Sequence, residues 1–141
     1  MLKNDIEAIT LETATLKNTL KFTFNMIVQA KVIKVYDGDT ITCVFDTFGL
    51  GLFKHQVRLN GIDTAELKSV DPNSKSIAIT ARDFVSDTIL NKVVKLKCEG
   101  TDKYGRILGR IFIDDVCIND ILISKKLAVL YDGGKKGDFI D

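Results

Sequence analysis

Apolar and polar residues alternate from Leu20 to Lys31, with Leu20, Phe22, Phe24, Met26, Val28 and Ala30 on one face and Lys21, Thr23, Asn25, Gln29 and Lys31 on the other. A period of two predicts a half-buried strand. The phase slips between Val32 and Val35, which predicts a bend or bulge before Asp37. Asp37-Gly38 then predicts a tight hairpin turn at positive backbone angles, followed by a second strand over Ile41–Phe45. Thr47–Leu52 holds two glycines and reads as a loop. In a third strand, His55–Leu59, Val57 and Leu59 face inward while Gln56, Arg58 and Asn60 share the polar face. Asn60-Gly61 is a turn or bulge signal, so Asp63 need not keep the facing that strict alternation gives it.

Asp71-Pro72-Asn73-Ser74 predicts a helix start, and Ile77, Ala81, Phe84, Val85, Thr88 and Ile89 follow at helical spacing. Strands are predicted over Val93–Cys98 and Arg106–Ile113, joined through a Lys103-Tyr104-Gly105 turn. Asp114-Asp115 turns the chain again before a short helix over Asn119–Lys126. The expected fold is mainly β with helices: a five-stranded Greek-key barrel of the oligonucleotide-binding type, a helix between strands three and four, and a short C-terminal helix. An open α+β sheet with the same order of elements is the alternative. Residues 1–19 are expected to form an N-terminal extension, either a short helix on Leu2, Ile6, Ile9, Leu16 and Leu20 or a frayed tail, and residues 20–141 the barrel domain.

At 141 residues the chain suits one such domain. The net charge of +1 disfavours a strongly basic nucleic-acid coat protein, so any nucleic-acid affinity must come from local clusters of Lys and Arg. Two clusters present themselves: Lys95, Lys97, Lys103, Arg106 and Arg110, and Lys125, Lys126, Lys135 and Lys136. Cys43, Cys98 and Cys117 lack the paired spacing of a zinc site and are expected to be free thiols. His55, the single histidine, is read as surface or strand edge. Asp5, Glu7 and Glu12 stand where a signal peptide has its apolar core, which predicts an intracellular protein.

Chemistry is concentrated in three segments: Asp37-Gly38-Asp39-Thr40, Arg58 through Asp63-Thr64-Ala65-Glu66, and Asp102-Lys103-Tyr104-Gly105-Arg106. Clustered carboxylates repel unless a hard cation lies between them, and forked guanidinium groups suit a phosphoryl group accumulating charge. The set therefore points to metal-assisted phosphodiester chemistry. Arg58 and Arg106 are candidate phosphate donors, and Glu66 a candidate for positioning or deprotonating the attacking water. A non-catalytic single-strand binding or protein-interaction module on the same barrel is the rival class.

Asp37-Gly38-Asp39-Thr40, the run Arg58-Leu59-Asn60-Gly61-Ile62-Asp63-Thr64-Ala65-Glu66 and Thr101-Asp102-Lys103-Tyr104-Gly105-Arg106 resemble the three motifs of the thermonuclease family of staphylococcal nuclease-like domains. Order and spacing agree over about Ala30 to Lys136. The resemblance implies an oligonucleotide-binding barrel and calcium-dependent hydrolysis of DNA and RNA to 3′-phosphorylated products. It further implies one calcium ion held by the carboxylates of Asp39 and Asp63 and the carbonyl of Thr64, with Asp37 a step further out. Arg58, Arg106 and Glu66 match the catalytic positions. Lys103 and Tyr104 match positions that meet a terminal phosphate of the bound nucleotide, and Tyr131 a nearby aromatic that stacks a base. No membrane and no obligate protein partner are implied; oligomeric state and exchange of magnesium for calcium stay open. Two departures stand out: Ala65 replaces the family's usual proline, and the chain ends at Asp141, so that the family's last helix is expected to be absent or very short.

Overall fold

The computed structural model describes residues 8–132. Five long strands make the barrel: β1 (Asn25–Asp37), β2 (Thr40–Asp46), β3 (Leu52–Leu59), β5 (Val93–Thr101) and β6 (Ile107–Ile113). Three short ones, β4 (Ile62–Thr64), β7 (Val116–Cys117) and β8 (Ala128–Leu130), and two helices, α1 (Pro72–Ile89) and α2 (Ile118–Ser124), complete the order. The antiparallel sequence β3-β2-β1-β5-β6 closes on itself because β3 also pairs parallel with β6, through Val57–Ile107, Arg58–Leu108 and Leu59–Gly109. Closure leaves none of the five with two open edges. The open-sheet alternative is thereby set aside.

Alternation delivers the core as expected: Ala30, Val32, Ile41, Cys43, Val57, Leu59, Leu96 and Ile111 turn inward and are buried. The predicted irregularity in β1 is present as two register slips against β2, between Val32 and Lys34 and between Val35 and Asp37. The strand begins later than the alternation suggests. Residues 20–24 form no strand, and Leu20 is 94% and Phe22 61% exposed. The partner strand explains this: β5 meets Asn25 at Glu99 and Gly100 N still donates to Phe24 O, but β5 ends at Thr101 and leaves the residues before Phe24 little edge to pair with. Residues 8–19 form turns closed by Thr10–Thr13 and Thr15–Asn18 hydrogen bonds, and not the short helix considered above. Residues 1–7 of that helix, and Lys135, Lys136 and the expected loss of the last helix, lie outside the described residues.

Helix α1 starts as its sequence dictates: the Asp71 carboxylate accepts from Ser74 N at 3.1 Å, with Pro72 in the first turn. Ala78, Ala81, Val85 and Ile89 form its buried face. Among the described residues no helix is long and apolar enough to cross a membrane. Cys43 and Cys98 are buried thiols, and burial pushes them up to about 12 and about 11. His55 lies on the stretch of β3 that pairs with β2 alone; half-buried, it stacks on Phe45 at 4.2 Å, with Nε2 2.7 Å from Thr47 Oγ1. Burial lowers its pKa.

Gly109 sits at the barrel seam with no room for a side chain. A Cβ there would lie 2.6 Å from Leu96 Cδ1 and 3.0 Å from Val57 Cγ1. Gly109→Ala is therefore expected to cost about 2 kcal/mol in urea unfolding, the usual scale of overpacking a close-packed core.

Candidate active site

The β1–β2 hairpin presents the first carboxylates. Asp39 N donates to Asp37 Oδ1 at 3.1 Å, and Thr40 Oγ1 donates to Asp39 Oδ1 at 3.1 Å. Neither central residue of the turn has positive φ, so the expected reason for Gly38 needs correcting. What the turn requires is space: a Cβ on Gly38 would lie 2.9 Å from both Ala81 Cβ of α1 and Thr64 Cγ2 of β4. Glycine lets the hairpin press against the helix and the strand that bears the next carboxylate.

Arg58, at the outer end of β3, binds the turn that follows it. Its Nη1 donates to the carbonyls of Leu59 (2.9 Å) and Ile62 (2.8 Å), and Nη2 to Asp63 Oδ1 at 3.0 Å. Nη2 also lies 3.6 Å from Asp39 Oδ2. Gly61, at φ +81°, makes the reversal that Asn60-Gly61 foretold and brings Asp63 to the face of Arg58. Asp63 and Thr64 then enter a small sheet with β8, pairing with Val129 and Ala128. That sheet had no periodic signal, since each strand has only three residues. Thr64 N donates to Asp39 Oδ2 at 3.1 Å, joining hairpin and small sheet.

Across the seam from β3, Asp102 organises the turn before β6. It accepts from the backbone N of Tyr104 and Arg106, each at 2.9 Å, and from Arg106 Nε at 2.8 Å. The Arg106 guanidinium lies over the Tyr104 ring, 5.5 Å from its centre. Asp102 was not among the expected site residues, yet its place in the motif, four residues before Arg106, was the available signal. Tyr131 also differs in its setting: its ring lies against Arg58, 5.4 Å from the guanidinium carbon, and its N donates to Gly61 O at 2.9 Å. Lys103 rests over Tyr104 at 5.3 Å.

All ten residues singled out from the sequence, Asp37, Asp39, Arg58, Asp63, Thr64, Glu66, Lys103, Tyr104, Arg106 and Tyr131, line one cleft of about 680 Å³. Tyr36, Asn60, Lys68 and Asp132 line it too, and sequence reasoning did not find them. Glu66 is exposed, while Ala65 before it is 4% exposed and packs into the protein.

The carboxylates divide by environment. Burial, together with the adjacent Asp39, pushes Asp37 up to about 7. Burial also works to raise Asp39, but the Arg58 guanidinium and the hydrogen bonds from Asp37 and Thr64 outweigh it and hold Asp39 below the ordinary value. Asp102 is held low in the same way, its burial outweighed by hydrogen bonds from Arg106 and Tyr104.

Asp39 and Asp63 converge on one positive atom, Arg58 Nη2, which marks a point where charge of that sign is stabilised. Both are hard oxygen donors and suit calcium or magnesium over softer metals. Among the described residues no three Asp, Glu, His or Cys side chains are arranged as a ligand set. Two carboxylates are fewer than the six to eight oxygens calcium takes, so an ion held here would keep much of its water.

The basic flank expected on β5 and β6 is largely compensated. Lys95 Nζ lies 3.7 Å from Asp115, Lys97 Nζ 3.6 Å from Glu99, and Arg110 Nε 2.8 Å from Glu99.

A closed five-stranded barrel with carboxylates and two arginines at one mouth defines a class: an oligonucleotide-binding barrel bearing a charged cleft. The sequence profile of the family described as staphylococcal nuclease homologue matches residues 56–138, and the chain belongs to that family. It is 32% identical over 101 residues to an uncharacterized endonuclease of Haemophilus influenzae, covering 72% of this chain and 51% of that protein. It is 33% identical to a thermonuclease of Staphylococcus hyicus and 36% identical to one of Staphylococcus intermedius, covering 70% and 69% of this chain and 56% of each relative. The chain spans about half the length of these relatives.

Proposed function

We propose that this protein is a calcium-dependent endonuclease that hydrolyses phosphodiester bonds in DNA, and in RNA as well. The observation that supports the reading is the convergence of Arg58 and Arg106 with Asp39, Asp63 and Glu66 around one cleft. Asp39, Asp63 and the Thr64 carbonyl would hold the ion, with Asp37 behind them. When bound, the ion supplies charge to offset the carboxylates and to polarise a phosphoryl oxygen. Arg58 and Arg106, on either side of the β3–β6 seam, donate to the equatorial oxygens as charge builds there. Glu66, exposed at the rim, takes the proton of the attacking water. The departing sugar oxygen takes a proton from solvent. Lys103 and Tyr104 lie where they meet a neighbouring phosphate, and Tyr131 keeps the Arg58 side chain extended.

Single-stranded and duplex DNA incubated with the protein should be cleaved in calcium and persist in a calcium chelator. Equal persistence in both overturns the reading. Nucleic-acid binding without calcium binding, by titration calorimetry, assigns the cleft to the non-catalytic class instead.

A further inference from the structure

The register of β1, β2 and β3 assembles a surface that no single strand displays. Residues directly opposite in antiparallel strands share a face. At the cleft, Asp37 pairs with Thr40 and Thr40 with Arg58. One row away from the cleft come Lys34, Thr42 and Gln56; one row further come Lys31, Val44 and Lys54. Successive rows lie two residues apart on β2 and β3, about 6.8 Å along the strands, and three apart on β1, where each bulge adds a residue. These two rows hold three lysines and no acid. Lys31, Lys34 and Lys54 are exposed, and none forms an ion pair with a described residue. The β5–β6 flank has its lysines matched by Glu99 and Asp115, so the field outside the cleft is positive on the β1–β3 side. The row beyond, Asp46 and Leu52, carries an acid and ends the run.

The bulges in β1 matter here. Each inserts a residue without a partner, Ile33 and Tyr36, and both reach solvent, at 37% and 55% exposure. Tyr36 also lines the cleft. An exposed aromatic ring thus stands where the lysine rows meet the site, and an apolar side chain stands among the lysines.

We propose that the outer face of β1–β2–β3 is a binding track for single-stranded polynucleotide, which leaves the cleft past Tyr36 and lays its phosphates along Lys34, Lys31 and Lys54. Charge complementarity and continuity with the cleft select this occupant: regularly spaced cations beside an exposed aromatic suit a strand with regularly spaced phosphates and unstacked bases. A duplex presents paired bases and gives Tyr36 nothing to stack. The track deepens the nuclease reading above and rests on it for the polarity of the occupant.

The test measures binding of a fluorescein-labelled 20-residue oligothymidylate in chelator, by anisotropy, across a salt series. Lys31→Gln/Lys34→Gln/Lys54→Gln should weaken binding and reduce the log K against log salt slope by about 2, the loss of three single-strand phosphate contacts. Lys95→Gln/Lys97→Gln should leave the slope within about 0.5 of wild type. In calcium, the triple variant should lower the ratio of kcat/KM on the 20-mer to kcat/KM on a trinucleotide about tenfold. An unchanged slope in the triple variant, or an equal loss in the Lys95/Lys97 variant, overturns the track. If the wild type binds with the expected slope but cleaves nothing in calcium, the nuclease reading fails and the track stands.

Discussion

Replacing Arg58 by alanine is expected to lower kcat for DNA cleavage about a hundred- to a thousandfold, the usual cost of losing one fixed donor to transition-state charge. It should also destabilise the protein in calcium-free buffer, by about 3 kcal/mol in urea unfolding. The two effects share one origin. The side chains of Arg58, Asp39 and Asp63 are 12%, 9% and 7% exposed, so truncation takes the guanidinium from two carboxylates that water barely reaches. It also takes donors from the carbonyls of Leu59 and Ile62, which shape the turn that places Asp63. Calcium should restore more stability to the variant than it adds to the wild type, because a cation can take up the charge that Arg58 balanced. Arg106→Ala separates the two effects. Arg106 and Asp102 are 25% and 16% exposed and lie on a loop, so the rate should fall comparably while stability falls by about 1 kcal/mol or less. A near-normal rate in either variant removes that arginine from the mechanism.

The second large effect is expected far from the chemistry. Asn119, in α2, is fully buried, and its amide joins three backbone groups: Ile111 N donates to its oxygen at 3.2 Å, and its Nδ2 donates to the carbonyls of Asn60 (2.9 Å) and Gly109 (3.1 Å). Asn119→Ala removes all three bonds, leaving Gly109 O only the one from Asn60 N, and should cost about 3 kcal/mol. In a domain of ordinary stability that is a large share of the whole. Asn119→Asp should cost at least as much despite its matching shape, since it sets an acceptor against two carbonyl oxygens. Urea unfolding measures both, and a loss under about 1 kcal/mol in each would show that water replaces the amide. Asn60 begins the turn that leads to Asp63, so cleavage should also slow in these variants.

Local features of this fold were legible because they leave local marks. Asp71-Pro72 announces the start of α1, the phase slip announces the β1 bulges, and alternation puts Arg58 opposite Val57 and Leu59. The convergence of the three charged segments was legible too, since each lies at a strand end or turn and a barrel brings such ends together. What escaped was set by pairing between distant segments. β4 and β8 are too short for a period, and Asn119 looks like any polar residue at a helix start. The lysines on β1 and β3 become neighbours only through a register that alternation cannot supply. The alternation from Leu20 to Phe24 misled for the same reason: period two marks a segment fit to pair, and β5 runs out at Thr101 after a last hydrogen bond to Phe24.

The parallel seam between β3 and β6 has a consequence for how the protein comes into being. Arg58 belongs to one side of that seam and Arg106 to the residue just before the other, so their separation is fixed only when the seam closes. Contacts between segments this far apart in the chain are formed late, after local hairpins have reduced the entropy of bringing them together. A chain still growing on the ribosome, with Gly109 not yet emerged, would hold both hairpin carboxylates and Arg58 but no closed seam beside them. Such a chain would carry half a cleft, with the carboxylates formed and the second arginine still unplaced.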